Sequence, residues 1–216
     1  MTRGVQPLEV DFGVRGAAPV PYAAVPMLGF ELEITTRSEL EIKTISLDVQ
    51  VQISARRRSY ASEEQAQLLE LFGETHRWAD TLRSLLWLRT TQVVPGFTAA
   101  TVVALQVPCT YDFDVTAAKY LAALRDGEVP LELLFSGTVF YKAENGLLQT
   151  AMIGWDREAE FRMPVSVWRD AMDMYFPNSA WLRLQRETFE RLHAYRAKHA
   201  LTGWEQAIDR LLEGER

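Results

Sequence analysis

The sequence predicts an α+β protein: an antiparallel β-sandwich or open-barrel-like body followed by a C-terminal helical segment. Three observations lead there. Apolar and polar residues alternate with a period of two in several short stretches, the mark of strands with one dry and one wet face. An Asn-Gly pair, Asn145-Gly146, separates two such stretches and signals a hairpin. After Met163-Pro164 the apolar spacing changes to that of a helix.

The clearest strand is Thr44 to Ala55, where Ile45, Leu47, Val49, Val51, Ile53 and Ala55 hold the odd positions and Thr44, Ser46, Asp48, Gln50, Gln52 and Ser54 the even ones. Half-wet strands of this kind belong to antiparallel sheets. Shorter versions run through Leu8, Val10, Phe12 and Val14, through Phe30, Leu32 and Ile34, and through Thr101, Val103, Leu105 and Val107. Glu132 to Lys142 and Leu147 to Trp155 flank Glu144-Asn145-Gly146, where Asn-Gly suits the positive φ angles of a type I′ turn. Pro19, Pro21 and Pro26 predict an irregular loop, because proline donates nothing to a ladder.

Helical signals interrupt the strands. Ser62-Glu63-Glu64-Gln65 reads as a capping box ahead of Leu68, Leu69 and Phe72, and Gly73 closes the run. Thr116 to Arg125 carries Ala117, Ala118, Tyr120, Leu121 and Leu124 at helical spacing and stops at Asp126-Gly127. Beyond Pro164, the residues Val165, Trp168, Met172 and Tyr175 define one helix, Ala180 to about Ala200 a second, and Thr202-Gly203-Trp204-Glu205 opens a third as another capping box. Two parts follow: residues 1–164 as a β-rich body with short connecting helices, and 165–216 as a helical segment packed on it. A single α+β domain with helices covering one sheet is the alternative.

Composition narrows the function classes. With 48% apolar and 24% charged residues the chain folds rather than staying disordered. Its net charge is −6, and residues 165–216 carry 8 Lys/Arg against 8 Asp/Glu, so all the excess acid lies in 1–164. Neither part offers the basic surface that nucleic acid requires. The single cysteine, Cys109, excludes an internal disulfide and a cysteine-based zinc site. The start has no apolar leader core and no run reaches the ~18 apolar residues of a membrane span, which predicts a cytoplasmic protein.

No catalytic constellation stands out, and no cofactor is expected. His193 and His199 are six apart, about 240° around a helix, so they cannot share one metal from a straight helix. Asp112, Asp114 and Asp156 lie beside aromatic residues and could do acid–base work in a cleft between sheet and helices, the basis of a hydrolase reading. Arg56-Arg57-Arg58 could hold a phosphate or an acidic peptide through forked hydrogen bonds, or solvate a strand end. Cys109, without an identifiable base, reads as a small buried filler. The crowd of rings near the carboxyl end, Trp168, Tyr175, Phe176, Trp181 and Trp204, must cover the sheet or meet another protein. These five, with Arg56, Arg57 and Arg58 as a polar anchor, are the expected partner-binding residues. A carrier of a small apolar ligand is a third reading and needs a cavity of ~300 Å³ or more.

Several motifs, among them Val94-Pro95-Gly96-Phe97, Val107-Pro108-Cys109-Thr110-Tyr111-Asp112-Phe113, Phe135-Ser136-Gly137-Thr138-Val139-Phe140-Tyr141 and Tyr175-Phe176-Pro177-Asn178-Ser179-Ala180-Trp181, resemble an actinobacterial family of unassigned function associated with gene neighbourhoods of uptake nickel–iron hydrogenases. The resemblance covers most of the chain and implies no catalytic residues. It implies an accessory protein that helps assemble or dock a redox enzyme, working by contact, since the chain lacks the cysteines of an iron–sulfur site. A protein partner, such as a redox-enzyme subunit, is thus expected, with self-association left open.

Overall fold

In the computed structural model, residues 8–109, 115–179 and 183–214 are described. They fall into two compact units, Met1–Ala180 and Trp181–Arg216. Asp112, Asp114 and Trp181 lie outside the described residues.

The first unit carries two antiparallel sheets. Strands β1 (Asp11–Pro19), β2 (Met27–Thr35) and β5 (Ala100–Pro108) form one, in the order β1-β2-β5. The second has the order β4 (Leu85–Phe97), β3 (Ile42–Ile53), β6 (Glu128–Lys142), and the other side of β6 is shared by β7 (Leu148–Met152) and β8 (Glu158–Pro164). The chain passes between sheets at β2–β3, β4–β5 and β5–β6, which is the connectivity style of immunoglobulin-like sandwiches. Among the described residues no closed barrel forms.

Alternation decides which faces meet. In β3 the side chains of Ile45, Leu47, Val51 and Ile53 are fully buried, while Asp48 is exposed. Leu28, Phe30, Leu32 and Ile34 of β2 do the same from the other sheet. Rings lock the layers together: Phe12 stacks on Phe135 with centroids 4.2 Å apart, and Phe30 meets Phe161 edge-on at 6.0 Å. Gly137, opposite Leu47 in β6, has φ +135° and lets the strands touch; an added Cβ would stand 2.0 Å from the Ser46 carbonyl oxygen.

Helices α1 (Ser62–Gln67), α2 (Leu69–Phe72) and α3 (Trp78–Thr81) lie in the insert between β3 and β4, and α4 (Thr116–Ala123) lies between β5 and β6. Helix α5 (Val165–Tyr175) belongs to the first unit; Val165, Trp168, Ala171 and Met172 are its buried side. In the second unit α6 (Arg186–Lys198) and α7 (Trp204–Glu213) form a helical pair.

Four local expectations change. The first helix is capped one residue earlier, by Ala61, because Glu64 rather than Gln65 reaches back, accepting from the Ala61 N–H at 3.0 Å. The last helix is capped one residue later, by Gly203, with Gln206 accepting from both the Thr202 N–H and its hydroxyl. The hairpin after β6 exists, but only Gly146 has positive φ, at 81°. Its amide donates to Ala143 O at 2.8 Å and the Ala143 amide to Leu147 O at 2.9 Å, so the turn is type I closed by a glycine bulge, which suits a three-residue loop. Finally, the strand expected to reach Trp155 ends at Met152. Ile153 N–H donates to Gly137 O and Phe135 N–H to Arg157 O, so residues 153–157 loop out opposite 135–137 before β8 resumes the ladder.

Candidate functional site

The arginine run sits where β3 ends, in a 3-10 turn Ala55–Arg57 that leads into the insert. All three guanidinium groups are engaged within the fold. Arg56 donates to the carbonyls of Leu82 and of Ala79, the latter at 2.9 Å. Arg57 pairs with Glu160 on β8. Arg58 is largely buried and donates to both oxygens of Glu64, at 2.9 and 3.0 Å. It also reaches the carbonyls of Glu128 and Asp126, and lies over the Tyr60 ring at 5.1 Å. Glu64 is only 1% exposed, and beyond Arg58 it accepts from the amides of Ala61 and Arg125. A buried ion pair needs this completeness, since each charge left unmatched would be costly.

Around the pair stands a wall of rings. Trp78 meets Tyr60 at 5.3 Å and Phe72 at 6.1 Å, both edge-on, and Tyr120 meets Phe72 and Tyr60 at 6.3 Å. The Tyr60 hydroxyl donates to Ala55 O at 2.6 Å, so at 2.8 Å it accepts from the Tyr120 hydroxyl. Burial pushes both phenols above their ordinary range. A neutral phenol pair held this way links Ala55 to α4 by hydrogen bonds.

The aromatic residues expected at an interface distribute unequally. Trp168 is buried at 5%. Tyr175 donates its hydroxyl to Val20 O at 2.6 Å and accepts from the Ala23 amide at 2.8 Å, tying α5 to the loop between β1 and β2. Phe176 is half-buried against the core. Trp204 is half-buried within the helical pair, 5.3 Å from Phe189, with Arg196 3.9 Å above its ring.

Two hollows stand out among the described residues of the first unit. One, about 660 Å³, is an open groove on the outer face of the larger sheet, where Asp48, Gln50, Arg89, Thr91 and Ser136 face solvent and Trp155, 95% exposed, stands at the side. Its carboxylate, Asp48, accepts from the Thr91 hydroxyl at 2.5 Å. Asp156 lies next to Trp155, exposed, 4.0 Å from Arg157. Among the described residues no three His, Cys, Asp or Glu side chains are grouped to hold a metal ion. Sequence reasoning passed over Trp155, reading it as the end of a strand; the signal was there in Gly154-Trp155-Asp156, where glycine and aspartate bracket the ring as turn residues do.

The second hollow, about 400 Å³, is lined chiefly by apolar side chains: Val25, Trp87, Cys109, Val115, Leu121 and Trp168. Burial raises the Cys109 thiol to about 12, which leaves it protonated and unreactive at neutral pH. The expected filler is thus also part of a cavity wall.

The second unit is built differently. Of its described residues only Ala207 is fully buried, whereas Phe189 is 45% exposed and Ile208, Leu211 and Leu212 are 38%, 43% and 61% exposed. No helix of the described residues is long and apolar enough to cross a membrane.

Fold and surface together define an antiparallel β-sandwich protein with C-terminal helices. The profile of a family of unknown function, DUF6084, matches residues 7–216, and the chain belongs to that family. No curated protein matches it. Among solved structures it is similar to the protein assigned as ApaA from Bordetella pertussis, at 15% identity over 74% of this chain and 95% of that one, with a TM-score of 0.27. A β-glucosidase from Kluyveromyces marxianus (7% identity, 72% of this chain and 15% of that one, TM-score 0.26) and the sporulation control protein Spo0M from Bacillus subtilis (11%, 74% and 49%, TM-score 0.24) are similarly distant. Likeness at this level says nothing about activity.

Proposed function

We propose that this chain is a cytoplasmic, non-enzymatic accessory module that binds a protein partner through its C-terminal helical pair. The observation that carries the reading is the apolar stripe Ile208, Leu211 and Leu212 along α7, left exposed as Phe189 of α6 is. A unit running only from Trp181 to Arg216 is below the ~40 residues at which a chain can bury a core unaided. Large exposed apolar surface of this kind marks interaction sites, and an amphipathic helix offers it as anchors three and four residues apart. The resemblance set out above supplies the partner's class, a redox enzyme of the nickel–iron hydrogenase type. The test is retention of the chain by a tagged hydrogenase subunit co-expressed in the native host, beside the double variant Leu211→Glu/Leu212→Glu. Retention should fall at least about tenfold in the variant while the melting of the β-sandwich stays put. Equal retention, or a sandwich that melts earlier, sinks the reading.

The apolar cavity supports a second reading, carriage of a small apolar ligand, because about 400 Å³ falls within the ~300–1,000 Å³ of ligand pockets. Native mass spectrometry of the freshly purified protein should then show an adduct that unfolding releases. A bare mass, together with no saturable quenching of tryptophan fluorescence by added fatty acid, removes it.

A further inference from the structure

An open sheet edge offers a row of unpaired amides and carbonyls, and folded proteins guard such edges with charge, proline, bulges or cover. Four of the five edges in this sandwich carry a guard. Strand β1 has a register shift between Val14 and Ala17, and ends in Pro19. Strand β4 carries Arg89 and Pro95. On β5 the Ala104 carbonyl is capped by the Gln92 side chain at 3.1 Å, and the strand ends in Pro108. Strand β8 presents Glu158, Glu160 and Arg162 and ends in Pro164.

Strand β7 has none of these. From Leu147 to Gly154 the sequence Leu-Leu-Gln-Thr-Ala-Met-Ile-Gly contains no charge and no proline. The bonds Ala143 N–H to Leu147 O and Ile153 N–H to Gly137 O fix the parity of the ladder. Residues 147, 149, 151 and 153 turn their backbone groups toward β6, so Leu148, Thr150 and Met152 turn theirs outward. Leu148 and Met152 are also 64% and 74% exposed, and among the described residues no strand pairs with that side of β7.

We propose that this edge is the interface of a homodimer, formed by antiparallel pairing of β7 with β7 of a second copy about a twofold axis at Thr150. The sequence is self-complementary in that register. Thr150 meets its own copy as a hydrogen-bonded pair, and Leu148 of each chain meets Met152 of the other, twice. Threonine pairs and apolar pairs directly opposite each other are the combinations that stabilise antiparallel strands, and a twofold axis needs one patch that fits itself. The neutrality of β7 selects a second copy over a charged partner. The larger sheets of the two copies then run on as one continuous sheet.

Sedimentation equilibrium of the full chain tests this, with expected mass twice that of one chain at high micromolar concentration. Thr150→Pro removes an outward amide while leaving the ladder to β6 intact, and should give a monomer with unchanged circular dichroism. Met152→Lys and Leu148→Glu should each weaken dimerisation at least about tenfold, and the double variant Leu148→Glu/Met152→Lys should restore it, because the register sets each introduced lysine opposite an introduced glutamate. A wild-type chain that stays monomeric, whether because its own termini or another protein cover β7, overturns the proposal. So does a dimer that both single charge variants leave intact, or a double variant no better than the singles.

Discussion

The insert between β3 and β4 and the C-terminal helical pair are similar in length and in vocabulary: each has arginine, tyrosine or tryptophan, short helices and a glycine-marked helix boundary. Their fates are opposite. In the insert, Glu64, Leu68, Phe72 and Leu82 are buried, Arg58 is matched by Glu64, and Tyr60 and Phe72 bridge Trp78 to Tyr120. Among the described residues of the helical pair a single alanine is buried, and the cation over Trp204 is half-buried. The insert leaves and returns through two neighbouring strands, so its ends are held at the edge of a core. Ring count alone cannot separate these outcomes; the number of buried partners around the rings does.

The difference can be broken at several points. The largest expected effect is on the rate of thiol alkylation. With its pKa raised from about 9 to about 12, Cys109 at pH 8 should react about a thousandfold more slowly in the folded chain than in denaturant. Variants of the insert should speed the reaction by loosening the sandwich, and variants of the helical pair should not. The same shift has a sign for stability. The folded state holds this proton more tightly than the unfolded chain, so the contribution is full below pH ~9 and is lost as pH rises toward 12. Cys109→Ala should flatten part of that alkaline loss in a urea titration, the phenols of Tyr60 and Tyr120 keeping the rest.

Glu64→Gln comes next. It leaves Arg58 buried beside a neutral amide and should cost about 3–5 kcal/mol by chemical denaturation, whereas Glu205→Gln in the helical pair should stay within about 0.5 kcal/mol. Trp78→Ala should cost the sandwich about 3 kcal/mol. Trp204→Ala should reduce helical circular dichroism without moving the main transition; a single shared loss in both variants would erase the contrast. Tyr120→Phe removes one buried donor and should cost about 1 kcal/mol. Smallest is Arg196→Ala, about 0.5 kcal/mol for a half-buried cation over a ring.

Much of the fold is legible in the residues wherever one face is wet. The alternation from Thr44 to Ile53 is strict because β3 lies inside a sheet with solvent on its back, and the stop at Gly127 is visible because φ there is +74°. Helix caps miss by one residue, since Ser62 and Glu64 offer competing partners and only the position of Arg58 favours the glutamate. Strand β4 is hard to see: Leu85, Trp87 and Leu88 are half-buried at an edge, so its alternation is blurred. The sites are less legible than the strands. Arg56, Arg57 and Arg58 read as a binding cluster until their partners within the fold, Leu82, Glu160 and Glu64, are in view. The grooves depend on which strands become neighbours, and nothing local in Asp48 or Arg89 announces that they share one.

The fifteen residues of β6 hold two shorter strands in succession on one side, and each has its own ladder. The crest of the loop joining them, Gly154 to Asp156 with Trp155 in the middle, therefore carries no part of either ladder's pairing. That makes it a natural place to open the chain: a fluorophore, an affinity peptide or new termini introduced between Gly154 and Asp156 would report on the sandwich without unzipping it.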